Sequence, residues 1–239
     1  MKKKIFVLLL CCTVMFAAAL TSVSAQTYPS KPVRIIAGFS PGGGSDIFAR
    51  LIAAKLQEMW GQPVLVENRV GASGTIGADA VAKSAPDGYT LFLANVSPNA
   101  MAPHVIKKLP FDALKGFAFI TLIADTPNIL VVNPSVPAKN VAELIAFAKA
   151  HPGKLTFASS GQGSVQHFAA EMFKMAAGVD IVHVPFKGSG QAMADLIAGN
   201  VDINFDTMAA ALPSVKTGKL RALAVTSPKR ASGAPDLPT

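Results

Sequence analysis

Cysteine is nearly absent from this 239-residue chain, and the two that occur, Cys11 and Cys12, stand side by side near its start. Everything after them is without disulfides, thiolate metal sites or a cysteine nucleophile. Aromatic residues are 7% of the sequence and charged residues 15%, and past the N-terminus no run of Lys or Arg exceeds two. That scarcity excludes the basic, aromatic-lined strips of nucleic-acid readers. The net charge of +8, spread over scattered bases, suits attraction of small anions instead. Nucleotide motifs are missing too. Gly153-Lys154 and Gly218-Lys219 each precede Leu where a Walker A loop needs Ser or Thr, and Gly161 and Gly163 are followed by Gln166 where G-x-G-x-x-G needs Gly. There is no G-x-S-x-G elbow. His104, His151 and His183 show no metal-site spacing, so no metal and no cofactor is expected.

What is present begins with a leader. Lys2, Lys3 and Lys4 precede a mostly apolar run from Ile5 to Leu20, and Val23-Ser24-Ala25 supplies a small-x-small cleavage site. Residues 1–25 therefore read as a cleavable signal peptide, with export to the periplasm as its consequence. An uncleaved anchor is the alternative, but the run is short for a membrane span. Removing the leader's three lysines lowers the net charge to +5 (8 − 3). At the other end "TSPKRASGAPDLPT" stops in a loop composition with no closing helix or strand, and reads as a truncated sequence.

Periodicity predicts a strand at Val33–Ala37, a helix from Asp46 to Met59 with an apolar stripe at Ile47, Leu51, Ala54 and Met59, and a strand at Val64–Glu67. A Gly-rich turn then opens a helix over Ser73–Ser84, followed by a strand at Tyr89–Ala94. The stretch from Lys154 to Asn200 repeats this order of strand, Ser/Gly loop, helix, strand, Gly-rich turn and helix. Two similar α/β units with mainly parallel sheets follow. "FAFITLIADTPNILVVNPSVP" between them is expected to be a β-rich crossover, and Lys219–Ser227 a strand returning to the first unit. The expected division is a first domain over 26–124, a second over 125–222, and a crossover back over 223–239.

Four helix entrances share one chemistry: Ser40–Asp46, Gly71–Thr75, Ser159–Ser164 and Lys187–Ser189. The first turn of a helix leaves backbone N–H groups unpaired at its positive end, and bare Gly and Ser let an anion reach them. Each loop alone is better explained by ordinary capping. Their repetition at strand ends, where sheets of this class bind ligands, favours a small carboxylate gripped from both units. His167 reads as a polar cleft residue or packing group, with catalysis requiring a base partner that the sequence does not identify. Asp206 reads as a cap or as a group orienting an amino or water-bridged part of a ligand. Phe39 and Phe186 either line the cleft or pack beneath it. Arg34, Arg50, Arg69 and Lys187 are available as counter-charges, with Arg50 more simply on a solvated face.

Together "VRIIAGFSPGGGSD", "VLVENRVGASGTIGAD", "PDGYTLFLA", "FASSGQGSVQHFAAEMFK", "VPFKGSGQAMADLIAGNVD" and "LRALAVTSPKR" resemble the Bug family of extracytoplasmic solute receptors, the binding components of tripartite tricarboxylate transporters. The resemblance implies an α/β fold of the type II periplasmic binding protein kind, a Venus flytrap with a ligand cleft between two domains. It implies a small carboxylate as ligand, the membrane permease subunits as partner, no nucleic acid, a monomer, and no enzymatic activity. Carried onto this chain, the family's ligand-binding positions are Phe39, Ser40, Gly43, Gly44, Ser45 and Asp46 in the first loop and Gly71, Ala72 and Ser73 in the second. Ser97 follows the third strand. The second domain contributes Ser159, Ser160, Gly163 and Ser164, then His167, then Phe186, Lys187 and Gly188, and finally Asp206. Members of the family continue beyond the point where this chain stops. Two other readings stay open on the residues alone: a periplasmic sensor feeding a membrane kinase, and a secreted hydrolase using His167 and a loop serine.

Overall fold

A computed structural model describes residues 27–239, so the expected leader lies outside the described residues. β1 (Val33–Ala37) buries Val33, Ile35, Ile36 and Ala37 on both of its faces, as a central parallel strand must. It lies between β2 (Val64–Asn68) and β3 (Thr90–Leu93), both parallel to it, in a three-stranded sheet. α1 (Gly44–Trp60) covers one face. Its buried stripe is not the expected one: Leu51 and Met59 are 60% and 75% exposed, whereas Ala49 and Ala53 are buried and Phe48, Ile52, Leu56 and Trp60 pack around them. The reason is size. Small alanines let the helix axis approach β1 closely, and the larger apolar groups beside them close the seam. A 3₁₀ turn at Ala72–Gly74 leads into α2 (Thr75–Ala82), and a π-helical turn at Ser97–Met101 into the short α3 (Ala102–Val105).

The second sheet has five strands: β4 (Asn128–Val132), β5 (Thr156–Ser159), β6 (Val182–Pro185), β7 (Ile203–Thr207) and β8 (Arg221–Val225), in the order β6-β5-β7-β4-β8. β5 is parallel to β6 and β7, while β4 is antiparallel to β7 and β8. Four helices cover it: α4 (Val141–Ala150), α5 (Val165–Ala177), α6 (Ser189–Ala198) and α7 (Met208–Lys216). β4 shows how its two faces are divided. Leu130 and Val132 pack with Leu144 and Phe157, whereas Ile129 and Val131 pack with Leu196 and Met208, the alternation that a strand covered on both sides requires. α4 starts with a reciprocal cap, Asn140 accepting from the Glu143 N–H at 2.9 Å and donating to Glu143 Oε1 at 2.7 Å.

Two expected strands behave differently. In the β-rich passage only Asn128–Val132 enters a ladder, and residues 118–125 are exposed, with Phe119 at 64% and Ile120 at 79%. Strand propensity expresses itself only against a neighbouring strand, and no ladder reaches this segment among the described residues. Lys219–Ser227, expected to lead back to the first unit, supplies β8 at the edge of the second sheet. The chain after it stays there. The Val225 N–H bonds Pro238 O at 2.8 Å, and Ala231, Ala234 and Leu237 pack on the same core as Ile129.

The burial pattern separates two leucines sharply. Leu144→Ala, at a fully buried site, is expected to cost about 2–5 kcal/mol, and Leu51→Ala less than about 0.5 kcal/mol. Urea denaturation followed by circular dichroism measures both, and equal costs would contradict the assignment of the α1 faces.

Candidate functional site

The four glycine- and serine-rich turns leave the carboxyl ends of parallel strands, β1 and β2 in the first sheet and β5 and β6 in the second, with the ends of β3 and β7 beside β1 and β5. The first loop is held by Asp46, which is 4% exposed. Its Oδ2 accepts from the Gly42 N–H at 3.0 Å and from Arg50 Nε at 3.0 Å, and Oδ1 accepts from Asn68 Nδ2 at 2.9 Å. Asn68 Nδ2 also donates to Phe39 O at 3.0 Å, so the loop is fastened to the end of β2. Burial alone would raise the Asp46 pKa, but Arg50, Gly42 and Asn68 outweigh it and hold the carboxyl below its usual 3.8. That contribution to stability is present above the ordinary carboxylate range and is lost as pH falls through the lowered value. Both Asp46 oxygens are thus engaged within the loop. Arg50 is exposed beyond this contact, and Arg34 and Arg69 pair with Glu67 at 3.5 and 2.7 Å.

Phe39 is 6% exposed and lies against Gly74, where a Cβ would come within 2.9 Å of the ring. Ala72 and Ser73 adopt φ of 45° and 52°, a left-handed geometry rare outside glycine and common where backbone is arranged for function. The turn aims Ser73 across to the second sheet's loops, and its Oγ donates to Gln162 O at 2.6 Å. Ser97 makes the matching contact, its Oγ accepting from the Val165 N–H at 3.1 Å in the first turn of α5. Asn95 ties these together, accepting from the Ser97 N–H at 3.0 Å and donating to Ser45 Oγ at 2.9 Å.

On the second sheet, Ser159 is fully buried and its Oγ meets His183 Nε2 at 2.7 Å and the Gly161 backbone at 3.2 Å. Ser160 donates to Gln166 Oε1 at 2.7 Å, and Ser164 caps α5 by accepting from the His167 N–H at 3.3 Å. His167 accepts from the Gly163 N–H at 3.3 Å and stacks on His183 with centroids 4.3 Å apart; His183 in turn stacks on Phe157 at 4.7 Å. The ladder has a clear electrostatic result. Burial lowers both histidine pKa values, and with the neighbouring His167 it takes His183 from 6.5 to about 4.

β7 places Asn204 and Asp206 two residues apart, hence on one face, and both are fully buried. Asp206 Oδ2 accepts from Ser189 Oγ at 2.5 Å and Asn204 Nδ2 at 3.0 Å, and Oδ1 from the Thr207 N–H at 2.7 Å. Burial raises the Asp206 pKa, opposed by its bonds from Ser189, Thr207, Gln166 and Asn204. Around this carboxyl the first-sheet loop comes close: Gly43 lies against Ser189, Gly44 against Thr207, and Ser40 against Gly188. Three buried polar atoms in this zone have no partner, Ser40 Oγ, Thr207 Oγ1 and Asn204 Oδ1. A buried polar group left unpaired costs about 1–3 kcal/mol, so these atoms mark where a polar ligand atom or water has bonds to make.

The expected site residues therefore gather where the turns of the two sheets meet, except that the Lys187 side chain is exposed and Phe186 is half-buried behind Ser159, bonded through its N–H to Ser159 O at 3.0 Å. Sequence reasoning gave no ligand-binding role to Asn95, Gln166, His183, Asn204 or Thr207, and named Ser189 only as the end of the fourth helix entrance. Only Asn204 carried a readable signal, because a second polar residue at i−2 from Asp206 in an otherwise apolar strand requires a buried partner.

Residues 48–239 match the sequence model of the tripartite tricarboxylate transporter family receptor. Protein BugT of Bordetella pertussis is 43% identical over 218 residues, which cover 91% of this chain and 67% of BugT. Among solved structures, R. palustris Rpa4515 with adipate is 39% identical with a TM-score of 0.86, covering 89% of this chain and 71% of that one. MatC from Rhodopseudomonas palustris with bound malate is 33% identical with a TM-score of 0.83, covering 89% and 72%.

The histidine ladder predicts a pH dependence with a definite sign. A histidine held neutral below its unfolded pKa takes up protons only on unfolding, so stability falls as pH drops from 6.5 towards 4. His183→Gln is expected to flatten that slope in thermal melts, and an unchanged slope would assign it to other groups.

Proposed function

Because this chain belongs to the tripartite tricarboxylate transporter receptor family, we propose that it is a periplasmic receptor that captures a small carboxylate, closes on it, and presents it to membrane permease subunits. The observation that carries this reading is the meeting of serine- and glycine-lined helix entrances from both sheets around the unpartnered Ser40 Oγ and Thr207 Oγ1. The first turns of α1, α5 and α6 bring helix N-termini with partial positive charge to this meeting point, and the lack of side chains at Gly43, Gly44 and Gly188 lets the loops that carry them approach one another closely. Two solved relatives are described with dicarboxylates, adipate and malate, the ligand chemistry such a site suits.

In this reading the two sheets are the two halves of a cleft, and the site residues named from the sequence, other than Lys187 and Phe186, gather along it. Asp46 acts by holding the first loop, since its oxygens are occupied by Gly42, Arg50 and Asn68. Asp206 orients Ser189 and a polar part of the ligand, while a ligand carboxylate is met by N–H and O–H donors. A ligand touching both halves favours the closed form, because only there does it make all its bonds. Affinity in the micromolar range requires about −8 kcal/mol, within reach of several charge-assisted bonds of about 1.5–3 kcal/mol each after ordering costs. No bond is made or broken in this cycle, delivery to the periplasm rests on the cleavable leader, and the receptor works as a monomer.

Isothermal titration with adipate, malate, citrate and the neutral isostere adipamide tests the reading. The carboxylates are expected to bind and adipamide to fail. Ser40→Ala and Thr207→Ala are each expected to weaken binding about tenfold, corresponding to about 1.4 kcal/mol. Folded protein that binds none of the carboxylates would refute the proposal.

A further inference from the structure

Gly190 stands in the first turn of α6, a place where helix formation favours alanine over glycine. Its backbone is compatible with a side chain, since Gly190 is not among the residues with positive φ. What bars a side chain is the other sheet's loop. A Cβ at Gly190 would overlap the Pro41 carbonyl oxygen, lie 3.0 Å from the Pro41 carbonyl carbon and 3.3 Å from Ser40 Oγ. The first two obstacles are backbone in a loop that Asp46 and Asn68 hold in place, so they do not swing aside as a flexible side chain would. Gly188 shows the same approach, a Cβ there overlapping Ser40, but its φ of 155° adds strain of its own.

We infer that Gly190 is a closure-determining residue: the missing Cβ sets how near the two ligand-binding halves come, and any side chain there wedges them apart. The inference rests on the receptor reading for its link to affinity. Its geometry is independent of that reading, because neighbouring loops of the same two sheets are joined by two direct hydrogen bonds, Ser73 Oγ to Gln162 O and the Val165 N–H to Ser97 Oγ. Wedging at Gly190 lengthens both. A ligand whose binding-competent state is populated less binds more weakly in the same proportion.

Gly190→Ala and Gly190→Val, compared with the unaltered protein, test this in two ways. Hydrogen exchange of the Val165 amide reads closure without ligand, and titration with adipate reads affinity. The expected result is unchanged or raised thermal stability for Gly190→Ala, faster exchange at Val165 in both variants, and affinity for adipate reduced at least about tenfold, more for Val than for Ala. Val165 exchange and adipate affinity both unchanged in a folded Gly190→Ala protein would overturn the inference while leaving the receptor reading intact. If the unaltered protein binds no carboxylate, the receptor reading fails, and the Val165 amide alone decides whether Gly190 sets the approach. A Gly190→Ala protein that is destabilised with unchanged Val165 exchange would also overturn it, assigning the glycine to the packing of α6.

Discussion

The buried carboxylate of Asp46 decides where the first glycine loop stands, and the contact between the two sheets follows from that loop. With Gly42, Arg50 and Asn68 converging on it, a sequence of consecutive glycines that would otherwise sample many conformations is held in one. From that single position Phe39 covers Gly74, Ser40 meets Gly188, Pro41 meets Gly190 and Gly43 meets Ser189. A carboxylate in this place is also an electrostatic counterweight. Satisfied by its own loop, it leaves the N–H groups of the α1 entrance free of competition from a neighbouring free anion.

The other half answers with a different device. Asp206 is as buried as a residue can be, yet no ion pair reaches it among the described residues; neutral donors from Ser189, Asn204 and the Thr207 backbone take that role. Neutral donors compensate a buried charge less completely than a cation does, which is why burial dominates its raised pKa. One acidic side chain is thus closed off by charge and the other is poised by hydrogen bonding alone. Between them lie helix N-termini from both sheets, and small residues wherever the two backbones approach.

The direct bonds from Ser73 to Gln162 and from Val165 to Ser97 show that loops of the two sheets contact each other without any intermediary. Such contacts lower the free energy of the arrangement in which the two sets of loops meet. The strained backbone at Ala72 and Ser73 belongs to the same design, since it is that turn which points the Ser73 hydroxyl across the gap.

Much of the architecture was readable in the chain alone. β1 and the alternation of strands with helices follow from apolar periodicity, a local property that each segment carries with it. The Ser/Gly turns pointed to a candidate site through their repetition, because small residues leave a helix entrance bare. The sequence could not tell which face of α1 is buried, because two stripes satisfied the helical period and the choice fell to Ala49 and Ala53 meeting β1. Nor did it show that 219–227 joins the second sheet, or that 117–127 stays outside a ladder, because strand pairing is a property of neighbours and not of the strand itself. The engagement of Asp46 by Asn68, the bond from Ser189 to Asp206, and the contact of Gly190 with Pro41 join residues far apart in sequence. Only tertiary packing decides them, within a sheet for the two carboxylates and between the sheets for Gly190, for the physical reason that a hydrogen-bond partner or a steric limit exists only once the chain has brought both groups to the same place.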